Sequence, residues 1–247
     1  MNALTLAATI TVVNTGTVIH TLNDWKCAIG NNNYISEPEV ETFYINIPGA
    51  DGFLDGSEAL SGRPVYKSRE IDVLLGGLRK KNDWDSFMSQ IRNQIHGKII
   101  KITFDNDPAY YWTGRAYITE YDRTRNLGQF HLSIPQAEPY KYSVADSTEE
   151  WLWDPFDFEK GVIEEGKDIS VSGTSTYLIY AGENAIVPVF DVKSIGIDGL
   201  KVTGCGETYT LTTGRNRFPD IVAAGEDIIL TFQGTGTLDI IYRRGSL

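Results

Sequence analysis

Apolar residues recur at a helical spacing in one place along the chain. Between residues 84 and 95 they stand three or four positions apart, at Trp84, Phe87, Met88, Ile91 and Ile95. This spacing predicts an amphipathic helix that begins after an N-cap at Asn82, ends before Gly97 and packs on a sheet. His96 is then expected at the helix C-terminus, where a protonated imidazole interacts favourably with the helix dipole.

Around this helix the apolar positions alternate with polar ones, which predicts strands. The alternation is present at residues 43–47, 100–104, 116–121 and 130–134. Asp105-Asn106-Asp107-Pro108 is rich in turn-forming residues, so a hairpin is expected there. Pro135 is expected to end the strand that contains Phe130, Leu132 and Ile134, because proline cannot donate to a sheet ladder.

The second half of the chain lacks a helical stripe and is divided into short strand-like segments by Gly, Asn and Asp. These segments lie near residues 169–173, 177–181, 186–195, 200–203, 207–212, 227–233 and 236–243. Strands at such regular intervals predict an antiparallel β-sandwich. Gly234-Thr235-Gly236 is expected to form the turn of the last hairpin.

Composition changes most sharply between Pro139 and Asp168, and from Asp146 to Asp168 nine acidic residues stand against Lys160 and Lys167. We therefore predict two domains, residues 1–142 and 143–247. Large aromatic residues alternate with these acids, and such residues are enriched in protein interfaces. The segment is predicted to contact the other domain or a partner through Trp151, Trp153, Phe156 and Phe158.

The net charge of −11 is unevenly distributed. Residues 1–142 contain 14 Lys and Arg against 16 Asp and Glu, whereas residues 143–247 contain 8 against 17. An acidic chain repels phosphates, so nucleic-acid and membrane-surface partners are not expected. The start of the chain has no basic residue before its apolar stretch, so no signal peptide is expected. Cys27 and Cys205 are expected to be buried or half-buried free thiols.

Candidate chemistry is sparse in this sequence. His20, His96 and His131 have no Cys or His at metal-ligand spacing, and there is no Gly-x-Ser-x-Gly elbow or phosphate-binding glycine loop. Asp105-Asn106-Asp107 lacks the later Gly and Glu of a calcium loop. We therefore expect no catalytic residues, no metal and no cofactor, and a protein that is not an enzyme.

Several segments, taken in order, resemble the distal tail protein family of long non-contractile-tailed phages and their prophage relatives. They are Asp51–Asp55 (DGFLD), Gly62–Ile71 (GRPVYKSREI), the helix start at Asp83-Trp84, Phe104–Pro108 (FDNDP), Tyr110–Arg115 (YYWTGR) and Glu138–Tyr142 (EPYKY). The resemblance covers most of residues 40–142, and the second domain contributes no motif to it.

This resemblance implies a mainly β protein with an N-terminal β-sandwich that carries one helix and an extended arm. A C-terminal galectin-like, jelly-roll β-sandwich would follow. The implied role is a homohexameric ring at the virion tail tip that joins the tail-tube protein to the tail-associated hub protein and to receptor-binding or baseplate proteins. Synthesis in the bacterial host cytoplasm is implied as well.

Within that role, the stretch from Ala50 to Lys67 is long enough to be an arm that reaches a neighbouring subunit. The oligomer-interface residues predicted in this arm and in the loop after it are Asp51, Phe53, Leu54, Arg63, Tyr66 and Arg69.

Two alternatives from other classes stay open. One is a soluble carbohydrate-binding protein whose second domain binds a glycan, with Trp151 and Trp153 stacking on a sugar ring. The other is a tail-associated glycoside hydrolase that uses a pair of carboxylates, for which the 33 acidic residues offer many combinations.

Overall fold

The computed structural model describes residues 7–31, 33–149 and 166–247. The chain divides into two compact units, one that extends to Lys141 and includes Leu247, and one formed by Tyr142–Ser246. The structure is 53% strand and 7% helical, with one α-helix, so the predicted mainly β, sandwich-type fold class is confirmed. None of the described helices has the length and apolar character that crossing a membrane requires.

The described residues of the first unit form eleven strands, a single-turn 3-10 helix and the α-helix. In chain order they are β1 (Ala8–Val12), β2 (Thr17–His20), β3 (Cys27–Ile29), β4 (Tyr34–Ile35), β5 (Tyr44–Asn46), β6 (Phe53–Asp55), β7 (Arg69–Leu78), the 3-10 helix (Lys81–Asp83), α1 (Trp84–Ile95), β8 (Ile99–Phe104), β9 (Tyr110–Arg115), β10 (Tyr117–Thr124) and β11 (Leu127–Ala137).

Two antiparallel sheets and α1 enclose one core in this unit. The strand order is β9-β8-β1-β2 in one sheet and β10-β11-β7-β3 in the other, with β4 also paired to β7. Alternate residues of each strand point inward, for example Ile10, Ile102 and Phe130, and all three are completely buried. They belong to a single apolar cluster with the helix residues. The hairpin predicted around Asp105–Pro108 is confirmed by the pairing of β8 with β9.

The helix agrees with its predicted stripe, because Trp84, Phe87, Met88, Ile91 and Ile95 are all buried. The predicted N-cap is wrong by one residue: Asp83, the last residue of the 3-10 helix, occupies the cap position. His96 does lie at the C-cap, and its Nδ1 accepts the Ile118 N–H at 3.0 Å. The predicted position of His96 at the C-terminus of the helix is therefore confirmed.

Pro135 does not end its strand, contrary to expectation. Strand β11 continues to Ala137, and its pairing with β7 shifts register between Ile134 and Ala137. A bulge leaves a residue out of the ladder, so the missing N–H of proline costs little at this position.

The described residues of the second unit form seven strands. They are β12 (Lys141–Ser143), β13 (Ile169–Ile179), β14 (Val189–Gly204), β15 (Glu207–Thr210), β16 (Gly214–Arg217), β17 (Ile228–Ile241) and the two-residue β18 (Gly245–Ser246), which adjoins β12. Strands β13, β17, β14 and β15 form a sheet in that order, with β16 paired to β14. Its inner face carries a second apolar cluster that includes Phe190, Leu230 and Phe232.

The predicted turn at Gly234-Thr235-Gly236 is wrong, because β17 passes straight through these residues. On the neighbouring strand β14, residues between Ile195 and Leu200 bulge out of register. A Cβ on Gly234 would lie 2.1 Å from the Gly199 carbonyl oxygen, and one on Gly236 would lie 2.4 Å from the Ser194 carbonyl oxygen. These glycines therefore allow close approach of two backbones.

Both cysteines are free thiols, as expected, but their burial differs. Cys27 is buried in the core of the first unit, and burial raises its pKa to about 11 despite the nearby Arg79. Cys205 is exposed at the turn after β14, so the expectation that both thiols are at least half-buried is wrong for Cys205.

Candidate functional site

A two-stranded hairpin separate from both sheets of the first unit is the candidate site. Strands β5 and β6 pair only with each other, with Ile45 opposite Leu54 and Tyr44 opposite Asp55. An isolated bridge between Val40 and Tyr66 closes the hairpin at its base. We call residues 40–67 the arm. The pattern at residues 43–47 correctly predicted a strand, and this strand pairs with β6.

The arm is held in its own conformation by local polar contacts. The Phe43 N–H donates to Ser57 Oγ at 2.8 Å, and the Ser57 N–H and hydroxyl both donate to Asp55 Oδ1. These hydrogen bonds from Ser57 hold the pKa of Asp55 below its usual value. Gly49 and Gly52 have φ near +80° in the connecting loop, a conformation that glycine adopts without strain.

The arm exposes large apolar side chains on both of its faces. Phe53 is 71% exposed, Leu54 is 54% exposed and Leu60 is fully exposed. Further exposed apolar residues of the arm are Val40, Phe43, Tyr44, Ile45 and Ile47. A hairpin of two short strands is marginally stable alone, and exposed apolar surface concentrated in this way is typical of protein interaction sites.

At the base of the arm, predicted interface residues contact the body of the unit. The Tyr66 ring packs edge-on against Tyr140 with a centroid distance of 5.9 Å, and Arg63 Nη1 lies 3.5 Å from the Tyr140 hydroxyl. Arg69 is only 6% exposed and packs over Trp112 at 5.0 Å. Burial lowers the pKa of Arg69, and Glu37 partly offsets that effect.

The predicted interface residues thus fall into three environments. Asp51, Phe53 and Leu54 lie together and exposed on the arm, Arg63 and Tyr66 lie half-buried at its base, and Arg69 lies inside the unit. The predicted aromatic contact residues Trp151, Trp153, Phe156 and Phe158 lie outside the described residues. Phe43 and Ile47 are also exposed on the arm, but they were not among the interface residues predicted from the sequence. The signal that could have identified them is charge, because the stretch from Cys27 to Gly62 that contains them has six acids and no Lys or Arg.

Two of the three histidines, His20 and His131, have carboxylate neighbours. His131 Nδ1 is hydrogen bonded to Asp72, and its Nε2 lies 3.7 Å from Glu120 Oε2. His20 Nε2 lies 3.3 Å from Asp105 Oδ2. Within the part of the chain that the structure describes, no group of three or more His, Cys, Asp or Glu side chains is arranged to hold a metal ion.

Comparison with known proteins gives a likeness among solved structures. No family model and no curated protein matches the sequence. Among solved structures, the chain is similar to the Dit protein (gp 19.1) of SPP1, reported as a paradigm of the hub adsorption apparatus in phages that infect Gram-positive bacteria. The likeness covers 97% of this chain and 99% of that chain, with a TM-score of 0.56 and 12% identity.

A second similar structure is the tail of an empty GTA particle, with a TM-score of 0.34, 15% identity and coverage of 59% of this chain and 99% of that one. That score is too low to support an argument. The likeness to SPP1 Dit, by contrast, confirms the fold that the sequence motifs implied. The chain has the fold of a phage distal tail protein over nearly its whole length.

Proposed function

We propose that this chain is a structural virion protein that forms a hexameric ring at the distal end of a phage tail. The ring joins the tail tube to the tail-associated hub and to the receptor-binding apparatus, and it makes or breaks no covalent bond. The observation that carries the proposal is the likeness to SPP1 Dit, which extends across both units of the chain.

The arm supports the proposal on physical grounds. A closed ring needs two different surfaces on each subunit, one that reaches out and one that receives. Phe53 and Leu54 at the arm would be buried by a neighbouring copy, which stabilises the assembly by about 1.5–3 kcal/mol per fully buried side chain. A soluble monomer gains nothing from presenting these side chains to water.

Light scattering coupled to size-exclusion chromatography tests the ring. The wild-type chain, alone or with the tail-tube protein, is expected to elute in complexes that contain six copies of the 27.5 kDa subunit. The double variant Phe53→Ser with Leu54→Ser is expected to lose that assembly and to keep its circular dichroism spectrum.

A matched control removes two exposed apolar side chains elsewhere. Leu178 and Ile229 are a cross-strand pair on the second unit, and both are exposed. The variant Leu178→Ser with Ile229→Ser is expected to assemble like wild type. A wild-type chain that stays monomeric with and without the tail-tube protein would contradict the proposed function.

A further inference from the structure

The outer face of the sheet β9-β8-β1-β2 combines exposed apolar residues with unneutralised positive charge. Thr11 stands opposite both Val18 and Lys101, and Ile99 stands opposite Arg115. Residues directly opposite in a sheet point to the same side, and the alternate positions Ile10 and Ile102 are buried. We call the outward residues Val13, Val18, Ile99, Lys101 and Arg115 the cationic face.

The cations of this face do not have carboxylate partners in the described structure. Lys101 Nζ lies over the Tyr111 ring at 4.3 Å, and Arg115 Nη1 donates to the Gly97 carbonyl oxygen at 2.5 Å. Neither side chain forms an ion pair with any carboxylate whose position is described. The four strands of the sheet contain no Asp or Glu at all, although the whole chain has a net charge of −11.

The apolar part of the face is exposed as well. Val18 is 62% exposed, and Val13 and Ile99 are also classed among the exposed large apolar residues. Exposed apolar side chains next to polar and charged ones are typical of a protein interface. A nucleic-acid site would instead be dominated by phosphate-neutralising cations, and the acidity of the chain opposes it.

The arm has the complementary character. Between Val40 and Gly62 it contains the acids Glu41, Asp51, Asp55 and Glu58, and no Lys or Arg. Its apolar side chains are exposed, as are those of the cationic face, so the arm does not cover the face of its own chain. The arm and the cationic face have opposite charge, and both expose apolar side chains. The arm of a second copy of the chain is therefore the partner that fits the cationic face.

We infer that the cationic face receives the arm of a neighbouring copy of this chain. Lys101 and Arg115 pair with the carboxylates of the arm, and Val13, Val18 and Ile99 cover its apolar side chains. This inference rests on the proposed ring and specifies which surface receives the arm.

Charge reversal on either side tests the pairing. The face variant is Lys101→Glu with Arg115→Glu, and the arm variant is Asp51→Lys with Glu58→Lys. Each alone is expected to weaken self-association by roughly tenfold or more, because like charges then face each other. An equimolar mixture of the two is expected to regain the wild-type assembly, because each reversed surface then meets a complementary one.

The matched control is Lys201→Glu with Arg217→Glu, which makes the same charge change at exposed positions of the second unit. It is expected to assemble like wild type. Wild-type assembly by the face variant, or no recovery in the mixture, would overturn the inference. Assembly of the face variant into a normal ring would still leave the proposed function standing.

Disulfide trapping tests the contact even where assembly is too weak to isolate. In a Cys205→Ser background, a chain with Leu54→Cys on the arm is mixed with a chain that carries Ile99→Cys on the face. A disulfide between the two chains is expected. A chain with Ile229→Cys, which is also exposed, serves as the control partner and is expected to cross-link far less.

Two trapping results would reject the inference. One is equal cross-linking of the arm to the face and to the control position. The other is a disulfide within a single chain that carries both cysteines, formed at every dilution. If wild-type chains do not assemble and the cysteine variants do not cross-link, the proposed ring fails together with this inference.

Discussion

Replacing Gly234 by alanine tests the close backbone approach between β14 and β17. Gly234 has φ +115°, and an added Cβ would lie 2.1 Å from the Gly199 carbonyl oxygen. The backbone conformation alone costs a side-chain-bearing residue about 1–3 kcal/mol. Relieving the clash requires a shift of packed strands, which costs about 1–3 kcal/mol more. We expect Gly234→Ala to lower the free energy of unfolding of the second unit by about 4 kcal/mol.

Gly173 provides a control that separates the two contributions. It is the direct cross-strand partner of Gly234, has φ +80°, and has nothing within 4 Å of an added Cβ. Gly173→Ala should therefore cost only the conformational part, about 1–2 kcal/mol.

Hydrogen exchange of the amides in β13 and β17, followed by mass spectrometry, measures the opening free energy in both variants. Equal destabilisation of the second unit by Gly234→Ala and Gly173→Ala would contradict the close approach of the β14 and β17 backbones.

Three further predictions concern buried polar and titratable groups. Ser147 donates to the Ile240 carbonyl oxygen at 2.6 Å and accepts the Tyr242 N–H at 2.9 Å, so Ser147→Ala should lower the free energy of unfolding by about 2 kcal/mol in urea titrations. Burial raises the pKa of Asp239, but the hydrogen bonds and charge of Lys193, with a backbone N–H, outweigh burial and hold the pKa below 3.8. Asp239 therefore adds stability above that pH that is lost as pH falls further, and Asp239→Asn should flatten this acid-side decrease in thermal unfolding scans. The native protein should react with a thiol reagent at Cys205 alone, because Cys27 is buried and its pKa is about 11, whereas both should react in denaturant.

The parts of the fold that depend on local spacing could be predicted from the sequence. The stripe from Trp84 to Ile95 identified α1 and its buried side, because one helical face repeats every three to four residues. Turn chemistry at Asp105–Pro108 identified the β8–β9 hairpin for a similar reason, since its hydrogen bonds are made within a few residues.

Predictions made from glycine and proline positions were wrong where the residue packs against or pairs with a strand that is distant in sequence. Gly234 and Gly236 have the composition of a hairpin turn, but they allow an approach to the bulged strand β14, whose residues lie more than thirty positions earlier. Pro135 is tolerated inside β11 because the pairing with β7 slips at that point. Neither bulge has a local sequence signal, so the pattern alone favoured turns and strand ends.

The arm illustrates a different limit. The alternation of Phe43, Ile45 and Ile47 indicates that one side of the strand becomes buried. It does not indicate whether the same chain or another chain buries that side. The distribution of charged residues distinguishes burial by the same chain from burial by another chain. The core strands β1 and β8 contain no acidic residue, whereas every charged residue of the arm before Arg63 is acidic.

Within one folded unit, charges of both signs normally mix on the surface, so single-sign segments gain most from contacts with an oppositely charged surface elsewhere. Segregation of acids to the arm and of cations to the sheet that contains Lys101 and Arg115 therefore favours contacts between copies over contacts within one. The same segregation predicts salt dependence: assembly should weaken as ionic strength rises, and the mixture of the two charge-reversed variants should share that dependence. A ring whose stability rose steadily with salt would show that apolar burial alone holds the arm, and the role assigned to Lys101 and Arg115 would fail.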